Sequence, residues 1–214
     1  MNKSDIAQLL LSINAVQLKP HEPFQFSSGL SSPVYCDNRL IISYPNERQH
    51  ITDGFLELIK QNRLQFDIVA GTATAGIPHA SWLADKLNKP LIYIRSKAKS
   101  HGTGNQIEGR VEAGQSVLLV EDLISTGGSV INAANAIREA QARVEHVLCI
   151  FTYGLDIAKE KLHSAQLQCR ALTDFESMTQ AAADANIIKN EDLPSLQQWQ
   201  KDPVKWAGHL KRQK

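Results

Sequence analysis

Cysteine and long apolar runs are both scarce in this chain of 214 residues. Its three cysteines, Cys36, Cys149 and Cys169, form no CxxC pair, which argues against a disulfide scaffold or a zinc ribbon and favours reduced thiols. The apolar run at residues 9–11 is shorter than the ~7–15 residues of a signal peptide, and no run approaches the ~20 residues of a membrane span. We therefore expect a cytoplasmic protein without a membrane partner.

A marked excess of charge of one sign is absent as well. The chain carries 23 lysines and arginines against 22 aspartates and glutamates, which gives a formal net charge of +1. Proteins that bind nucleic acid mainly through its phosphates usually have a strongly basic balance. We therefore expect no nucleic-acid partner. The length corresponds to about one domain, which is large enough to bury a core without disulfides or metal.

Short apolar strands alternate with helices in the middle of the chain. We predict strands at residues 66–70, 90–94, 116–120, 144–152 and 169–172, and helices at 77–87, 129–141 and 155–165. Continuous apolar strands joined by helices are typical of a parallel sheet covered on both faces, so the predicted fold class is α/β. Elsewhere the pattern predicts helices at 4–18 and 46–59, a small hairpin of 24–26 with 34–36, and surface helices at 192–206.

The strongest functional motif is VLLVEDLISTGGS, at residues 117–129. Its apolar strand leads into Glu121 and Asp122 and then into a hydroxyl-rich loop that opens a helix. Backbone N–H groups at a helix N-terminus bind phosphate, and Gly127 and Gly128 allow a ligand to approach closely. The two carboxylates would repel a phosphate, so we expect them to face sugar hydroxyls or Mg²⁺. The motif predicts a site for a phosphorylated ribose; the alternative is an acidic turn with a helix cap.

A second loop, GTATAG at residues 71–76, follows the first predicted parallel strand. It has the GxxxxG spacing of a nucleotide P-loop but continues with Ile77 and Pro78, so it lacks the Lys-Ser/Thr pair that binds phosphate and magnesium. This excludes a P-loop kinase or ATPase. A tight strand-to-helix turn explains the loop equally well. Beside the 117–129 motif it becomes a candidate pyrophosphate site, formed by Thr72, Ala73, Thr74, Ala75 and Gly76.

Residues 95–110 form a basic, glycine-containing segment, which we call the lid. Four fixed positive charges and one histidine stand against one carboxylate, and three glycines predict a mobile loop. Its Gly102-x-Gly104 is followed by Ile107, so the dinucleotide-binding fingerprint fails. A solvated basic loop is the plain alternative. The functional interpretation is a lid that closes over a polyanionic substrate and neutralises a leaving group.

The segment FQFSSGLSSPVYCDNR, at residues 24–39, supplies free amides and an aromatic ring. These groups can close over a flat anionic base. A simple hairpin with a glycine-containing turn accounts for the segment just as well.

With these residues in place, the chain resembles the orotate phosphoribosyltransferases of the bacterial single-function type over residues 24–174. VLLVEDLISTGGS resembles the phosphoribosyl-pyrophosphate (PRPP) motif of type I phosphoribosyltransferases. RSKAKSHGTGNQIEG and FxFSSGLSSPVYCDNR resemble the orotate enzymes and not the purine-salvage members. The resemblance implies the type I phosphoribosyltransferase fold and the reaction of PRPP with orotate to give orotidine 5′-monophosphate and pyrophosphate, with Mg²⁺, in the synthesis of UMP. It also implies a homodimer in which the lid serves the neighbouring subunit.

The resemblance implies roles for individual residues. Arg95, Lys99 and His101 would contact the pyrophosphate and, with Asp122, form the catalytic set. Glu121 and Asp122 would hold the ribose hydroxyls, and Mg²⁺ would bind through PRPP, with Asp122 as the candidate protein ligand. PRPP would also contact Leu123, Ile124, Ser125, Thr126, Gly127, Gly128 and Ser129. Orotate would contact Ser125, Ser27, Ser28, Gly29 and Tyr35.

Three departures from the family pattern concern base recognition. Ser96 and Ser27 stand where several relatives carry lysine, and the segment at residues 151–154 lacks an arginine that some relatives direct at orotate.

The remaining alternatives are a phosphoribosyltransferase for another base and a PRPP-sensing regulator on the same fold. We expect one phosphoribosyltransferase domain over residues 1–214, with an N-terminal hood at 1–45, a parallel-sheet core at 46–175 and C-terminal helices at 176–214.

Overall fold

The N-terminal segment combines helices with four short strands. In the computed structural model, which describes residues 2–25, 31–97 and 106–212 (the last four by backbone alone), helix α1 spans Lys3–Ser12 and is capped by Asn2, whose side chain accepts the Asp5 N–H at 2.9 Å. The four strands form two antiparallel pairs, β1 (Val16–Leu18) with β4 (Val34–Cys36) and β2 (Phe24–Gln25) with β3 (Ser31–Ser32). A 3₁₀ helix at Asn38–Ser43 then leads into α2 (Pro45–Gln61).

Two predictions for this segment are wrong. The helix predicted over residues 4–18 ends at Ser12, because Asn14 takes a left-handed φ of 56° and the chain then enters β1. The segments 24–26 and 34–36 do not pair with each other, since β4 pairs with β1 instead. Val16 and Val34 are both buried, so this pairing covers apolar side chains that a hairpin with the half-exposed β2 would leave open.

The central sheet has six strands, in the order β10-β9-β8-β5-β6-β7. They are β5 (Ile68–Thr72), β6 (Leu91–Ile94), β7 (Ile107–Glu108), β8 (Ser116–Ile124), β9 (Arg143–Thr152) and β10 (Gln168–Asp174). The first five in this order are parallel to one another, and β7 is an antiparallel edge strand that the sequence pattern did not predict. Every residue of β5 is buried; because successive side chains point to opposite faces, both faces are covered there. The predicted α/β fold class is confirmed.

Helices follow four of the parallel strands directly. They are α3 (Gly76–Leu87), α4 (Gly128–Glu139), α5 (Asp156–Ser164) and α6 (Phe175–Asp184), which come after β5, β8, β9 and β10. Helix α3 packs on β5, β6 and β8, and α4 packs on β5, β8 and β9. The predicted helices are confirmed within a few residues. The strand predicted at 116–120 is longer than expected, so β8 includes Glu121 and Asp122 and continues to Ile124.

The chain ends in two further helices, α7 (Leu193–Lys201) and α8 (Pro203–Arg212), after a 3₁₀ turn at Asn190–Asp192. Helix α7 packs on α6, and α8 packs on β3. Trp206 is buried between α7 and α8, and its indole N–H donates to Ser195 Oγ at 2.9 Å. Among the described residues, no helix is long and apolar enough to cross a membrane.

Candidate active site

The strand order reverses between β5 and β8, since β6 lies on one side of β5 and β8 on the other. In open α/β sheets, ligands bind outside the carboxyl ends of the strands at such a switch point. The carboxyl end of β5 leads into the loop at residues 72–76, and that of β8 carries Glu121 and Asp122. Topology thus brings together two of the motifs that the sequence analysis singled out.

The loop at residues 72–76 is fixed closely against β8. The Thr72 hydroxyl donates to the Val120 carbonyl at 3.1 Å, and the Ala73 N–H donates to the Ile94 carbonyl at 2.8 Å. The Ala73–Thr74 peptide bond is cis. A Cβ atom at Gly76 would lie 2.5 Å from the Val120 carbonyl oxygen and 2.7 Å from Thr72 Oγ1. Glycine is therefore required for α3 to begin this close to the carboxylates.

Glu121 and Asp122 occupy different environments although they are adjacent. Glu121 is 5% exposed; its Oε2 accepts from the Ser129 hydroxyl at 2.9 Å and its Oε1 accepts from the Asp122 N–H at 3.1 Å. Burial raises the pKa of Glu121 to about 8, and burial also raises the pKa of Asp122. Asp122 is only half-buried, and its carbonyl accepts from the Asn38 amide at 2.8 Å. Because both carboxylates are poorly solvated, they favour a ligand that brings hydroxyl donors or a cation.

The N-terminus of α4 presents free backbone donors beside these carboxylates. Gly127 begins the helix with a φ of +80°, and no side chain of the described residues caps it. A Cβ atom at Gly128 would meet nothing within 4 Å, so the space in front of the first turn is open. Ser125, Thr126 and Ser129 are exposed there. Uncapped N–H groups, the helix dipole and nearby hydroxyls together form an anion site.

Leu123 and Ile124 lie between the carboxylates and this anion site. Ile124 is 1% exposed, and its carbonyl accepts from the Tyr153 N–H at 3.1 Å. Leu123 is half-buried and aligned with Phe151 of β9. A ligand can therefore reach Ile124 through its backbone alone.

The described ends of the lid are held in place. The Arg95 N–H donates to the Gln106 carbonyl at 2.9 Å, and the Gln106 amide donates back to the Arg95 carbonyl at 2.6 Å. On the other side, the Asn132 amide of α4 donates to the Ser96 carbonyl at 3.2 Å. Arg95 lies 3.7 Å from a Glu108 carboxylate oxygen. The lid therefore starts beside α4, and Gln106 brings the chain back to Arg95. Lys99 and His101 lie outside the described residues.

The N-terminal strands border the site on the Asp122 side. Tyr35 of β4 is 37% exposed, and its ring lies 5.5 Å from that of Phe24. Burial and then the nearby Asp122 raise the pKa of the Cys36 thiol, which places β4 next to that carboxylate. Arg39 forms a paired contact with Asp37, at 2.6 and 2.8 Å. The predicted base-binding residues Ser27, Ser28 and Gly29 lie outside the described residues.

Sequence reasoning missed two residues of this region. Asn38 is buried, and its Oδ1 atom has no partner among the described residues while its amide donates to Asp122. Tyr153 is buried at the carboxyl end of β9. The signal for Asn38 was its place directly after Asp37 in the N-terminal motif. The signal for Tyr153 was its place directly after a parallel strand, where ligand-binding loops lie.

Glu121 and Asp122 are the residues available to a metal ion. In the described part of the chain, no group of three or more histidines, cysteines, aspartates or glutamates converges on one point. This excludes an all-protein cage there but fits Mg²⁺, which usually keeps several waters and binds through one or two carboxylates together with substrate phosphates.

Comparisons with known proteins agree with this arrangement. A model of the phosphoribosyl transferase domain matches residues 41–182. The chain is 51% identical to the orotate phosphoribosyltransferase of Coxiella burnetii over 207 residues, which cover 96% of this chain and 99% of that protein. The orotate phosphoribosyltransferase of Bacillus cereus is also 51% identical, over 205 residues that cover 96% of this chain and 98% of that protein.

Solved structures show the same fold. Orotate phosphoribosyltransferase from Aeropyrum pernix matches with a TM-score of 0.73 and 29% identity, covering 86% of this chain and 99% of that one. The UMP synthase of Leishmania donovani matches with a TM-score of 0.76 and 26% identity, covering 92% of this chain and 42% of that one. The domain match, the near-full-length relatives and the site geometry all agree, and the chain belongs to the orotate phosphoribosyltransferases within the phosphoribosyl transferase family.

Proposed function

We propose that this protein transfers the 5-phosphoribosyl group of PRPP to orotate, giving orotidine 5′-monophosphate and pyrophosphate in pyrimidine biosynthesis. The observation that supports this best is the arrangement at the carboxyl end of β8. Glu121 and Asp122 stand directly before the uncapped N-terminus of α4, which presents backbone N–H groups. A ligand with ribose hydroxyls next to a 5′-phosphate satisfies both groups at once.

The proposed binding mode of PRPP follows from these donors and acceptors. The 5′-phosphate accepts hydrogen bonds from the backbone N–H groups of residues 125–129, Ser129 included, and from the exposed hydroxyls of Ser125 and Thr126. The ribose hydroxyls donate to Glu121 and Asp122. The pyrophosphate lies against the loop at residues 72–76 and under the lid, where Arg95, Lys99 and His101 supply positive charge.

The proposed mechanism is electrostatic. As the bond to pyrophosphate breaks, positive charge develops on the anomeric carbon of the ribose, and the two carboxylates stabilise it from the ribose side. Arg95 and Lys99 stabilise the negative charge that develops on the leaving group. Asp122, with the substrate phosphates, would hold Mg²⁺, which would supply further positive charge on the leaving-group side. No covalent protein intermediate is required.

Base recognition belongs to the N-terminal strands. Orotate is a flat anion, and the exposed part of the Tyr35 ring offers a surface on which it can lie. We assign its polar contacts to Ser27, Ser28, Gly29 and Ser125. These residues complete the site on the side of Asp122 where β4 lies.

The larger organisation is also a proposal. A homodimer would let each lid cover the site of its partner. The proposed compartment is the cytoplasm, where cysteine thiols such as these stay reduced. We retain the division of the single domain into a hood at 1–45, a core at 46–175 and C-terminal helices at 176–214.

The test is the loss of orotate absorbance by protein purified from a host that lacks its own enzyme. Orotate should disappear only when PRPP and Mg²⁺ are both present. Uracil, adenine, hypoxanthine and guanine, offered in parallel, should remain. Consumption of another base instead would identify a different acceptor. PRPP binding without consumption of any base would identify a regulator.

A further inference from the structure

Two segments outside the matched phosphoribosyl transferase domain pack against each other. The domain match covers residues 41–182, so the N-terminal strands precede it and helices α7 and α8 follow it. Helix α8 nevertheless packs on β3. The C-terminal helices had no role in the sequence analysis, and their contacts lead to the base side of the site.

The first contact joins α7 to Tyr153. The Gln200 Nε2 atom donates to the Tyr153 carbonyl at 2.8 Å. The buried ring of Trp199 meets the Tyr153 ring edge-on at 5.4 Å. Gly154 has a φ of +64°, and a Cβ atom there would lie 3.0 Å from Gln200 Nε2. Glycine at this position therefore lets the chain pass close to Gln200 while the hydrogen bond forms.

Tyr153 in turn is bonded to the end of β8, where its N–H donates to the Ile124 carbonyl at 3.1 Å. Burial and then the nearby Cys36, Tyr35 and Asp122 raise the pKa of the Tyr153 phenol. These neighbours belong to β4 on one side and to the end of β8 on the other. Its ring also meets Phe151 of β9 edge-on at 5.3 Å. A displacement of Tyr153 would therefore shift Ile124 and the residue that follows it, Ser125, which is a proposed contact of orotate.

The second contact joins the loop after β1 to the 3₁₀ turn before α7. His21 Nε2 lies 2.9 Å from Asp192 Oδ1. Asp192 is 6% exposed, and its Oδ2 atom accepts from the Lys189 N–H at 3.0 Å. Because the carboxylate is buried and fixed by its own backbone, it is a rigid point of attachment for the exposed His21 side chain.

We infer that helices α7 and α8 position the base side of the active site, with Gln200 as the positioning residue that holds Tyr153 against the end of β8, next to Ser125. This inference rests on the proposed function. Gln200 acts through Tyr153 and touches no reacting atom. Among the described residues, no hydrogen bond joins α7 or α8 to the loop at residues 72–76 or to the N-terminus of α4, where the proposed phosphate contacts lie. Loss of Gln200 should therefore weaken the binding of orotate more than that of PRPP.

The test replaces Gln200 by methionine, which has a similar shape and no donor. Gln197→Met is the matched control, because Gln197 is exposed on the same helix. We expect Gln200→Met to raise the KM for orotate about 3- to 10-fold, as for loss of one hydrogen bond, with kcat and the KM for PRPP within about twofold of wild type. Gln200→Lys, which can donate to the same carbonyl, should restore most of the affinity for orotate.

Equal changes in both KM values, a fall in kcat alone, or wild-type kinetics in Gln200→Met would each overturn the inference. If Gln200→Met does not fold, His21→Ala tests the second contact at an exposed side chain. It should raise the KM for orotate selectively, and unchanged kinetics there would also overturn the inference. A wild-type protein that consumes no orotate would instead contradict the proposed function.

Discussion

At the scale of single residues, burial gives adjacent or similar side chains different properties. Glu121 is buried and bonded to Ser129, whereas Asp122 is half-buried beside the hood. The Glu121 carboxylate therefore already accepts hydrogen bonds from the protein, and the Asp122 carboxylate is more available to a ligand. Burial likewise distinguishes two histidines, because His79 is buried and His50 is exposed.

Asp122→Asn should weaken the use of PRPP, because the amide keeps the shape of the side chain but removes its charge. We expect kcat/KM for PRPP to fall about 10²-fold, comparable to the loss of one oxyanion-hole donor. Steady-state kinetics with PRPP varied at saturating orotate measure it. Asp85→Asn, at an exposed position of α3, is the control. Unchanged kinetics in Asp122→Asn would rule out the ribose-hydroxyl role.

His79 should make stability depend on pH. Burial lowers its pKa to about 4, and neither ring nitrogen has a partner among the described residues. As pH falls from about 6.5 to 4, the unfolded chain takes up a proton at His79 that the folded protein resists. Above this pH range the neutral His79 costs no stability. Within the range the protein loses on the order of 3 kcal/mol of folding free energy.

His79→Phe, which cannot be protonated, should lose less thermal stability than wild type between pH 7 and pH 4.5. Its ring can keep the edge contact that His79 makes with Trp82, at 5.5 Å. His50→Phe is the control, since His50 is exposed on α2. Parallel Tm–pH curves for wild type and His79→Phe would argue against a buried, neutral His79.

At the scale of elements, the site depends on how closely α3 and α4 approach the end of β8. Helix α3 can approach because residue 76 has no side chain, and α4 presents free N–H groups because no side chain of the described residues caps it. The lid attaches between β6 and β7, an antiparallel pair at the sheet edge. Each motif is thus fixed to the sheet through its backbone.

Gly76→Ala should destabilise the protein and lower activity, because the new Cβ atom would meet the Val120 carbonyl at 2.5 Å. Overpacking of this kind costs about 1–3 kcal/mol, measurable by urea unfolding. Gly208→Ala, in α8, is the matched control, since a Cβ atom there would meet nothing within 4 Å. A Gly76→Ala protein as stable as Gly208→Ala would show that α3 does not approach β8 this closely.

At the scale of the whole molecule, the matched domain supplies the proposed PRPP side and the flanking segments supply the proposed base side. The domain match begins at residue 41, after β1–β4, and ends at residue 182, before α7. Such a division would let one shared domain serve several acceptor bases. The lid, if shared between subunits, adds a second level of organisation.

Mixing two inactive variants tests the shared lid. Lys99→Ala alone should lower turnover about 10²-fold, through loss of charge at the leaving group. If lids act across the interface, random re-pairing with Asp122→Asn subunits should restore about a quarter of wild-type activity, because about half of the dimers then hold one intact site. Mixing without subunit exchange is the control. No recovery after exchange would assign each lid to its own subunit.

The pattern of the chain predicted the core well. The parallel strands between residues 66 and 172 are visible as continuous apolar runs, because both faces of the sheet are buried, and the helices between them as periodic apolar patterns. The short N-terminal strands were mispaired, since two- and three-residue strands have no period to detect. Glu121 and Asp122 were predicted as ligand-binding carboxylates at the end of a strand, but the strand continues to Ile124, because its polar last residues hide its continuation.

The sequence by itself determined the fold class and the family, and it predicted the chemistry of the site, because carboxylates, hydroxyls and glycines at fixed spacing act locally. The few cysteines argue against a disulfide scaffold or zinc ribbon, and the short apolar runs argue against a membrane span. The balanced charge argues against general binding of nucleic acid. Only the tertiary structure decided which distant groups meet. Thr72 bonds to Val120, Asn38 to Asp122, and Gln200 to Tyr153. Such contacts depend on strand order and helix packing, which arise from burial of the whole core and leave no signal at a single position.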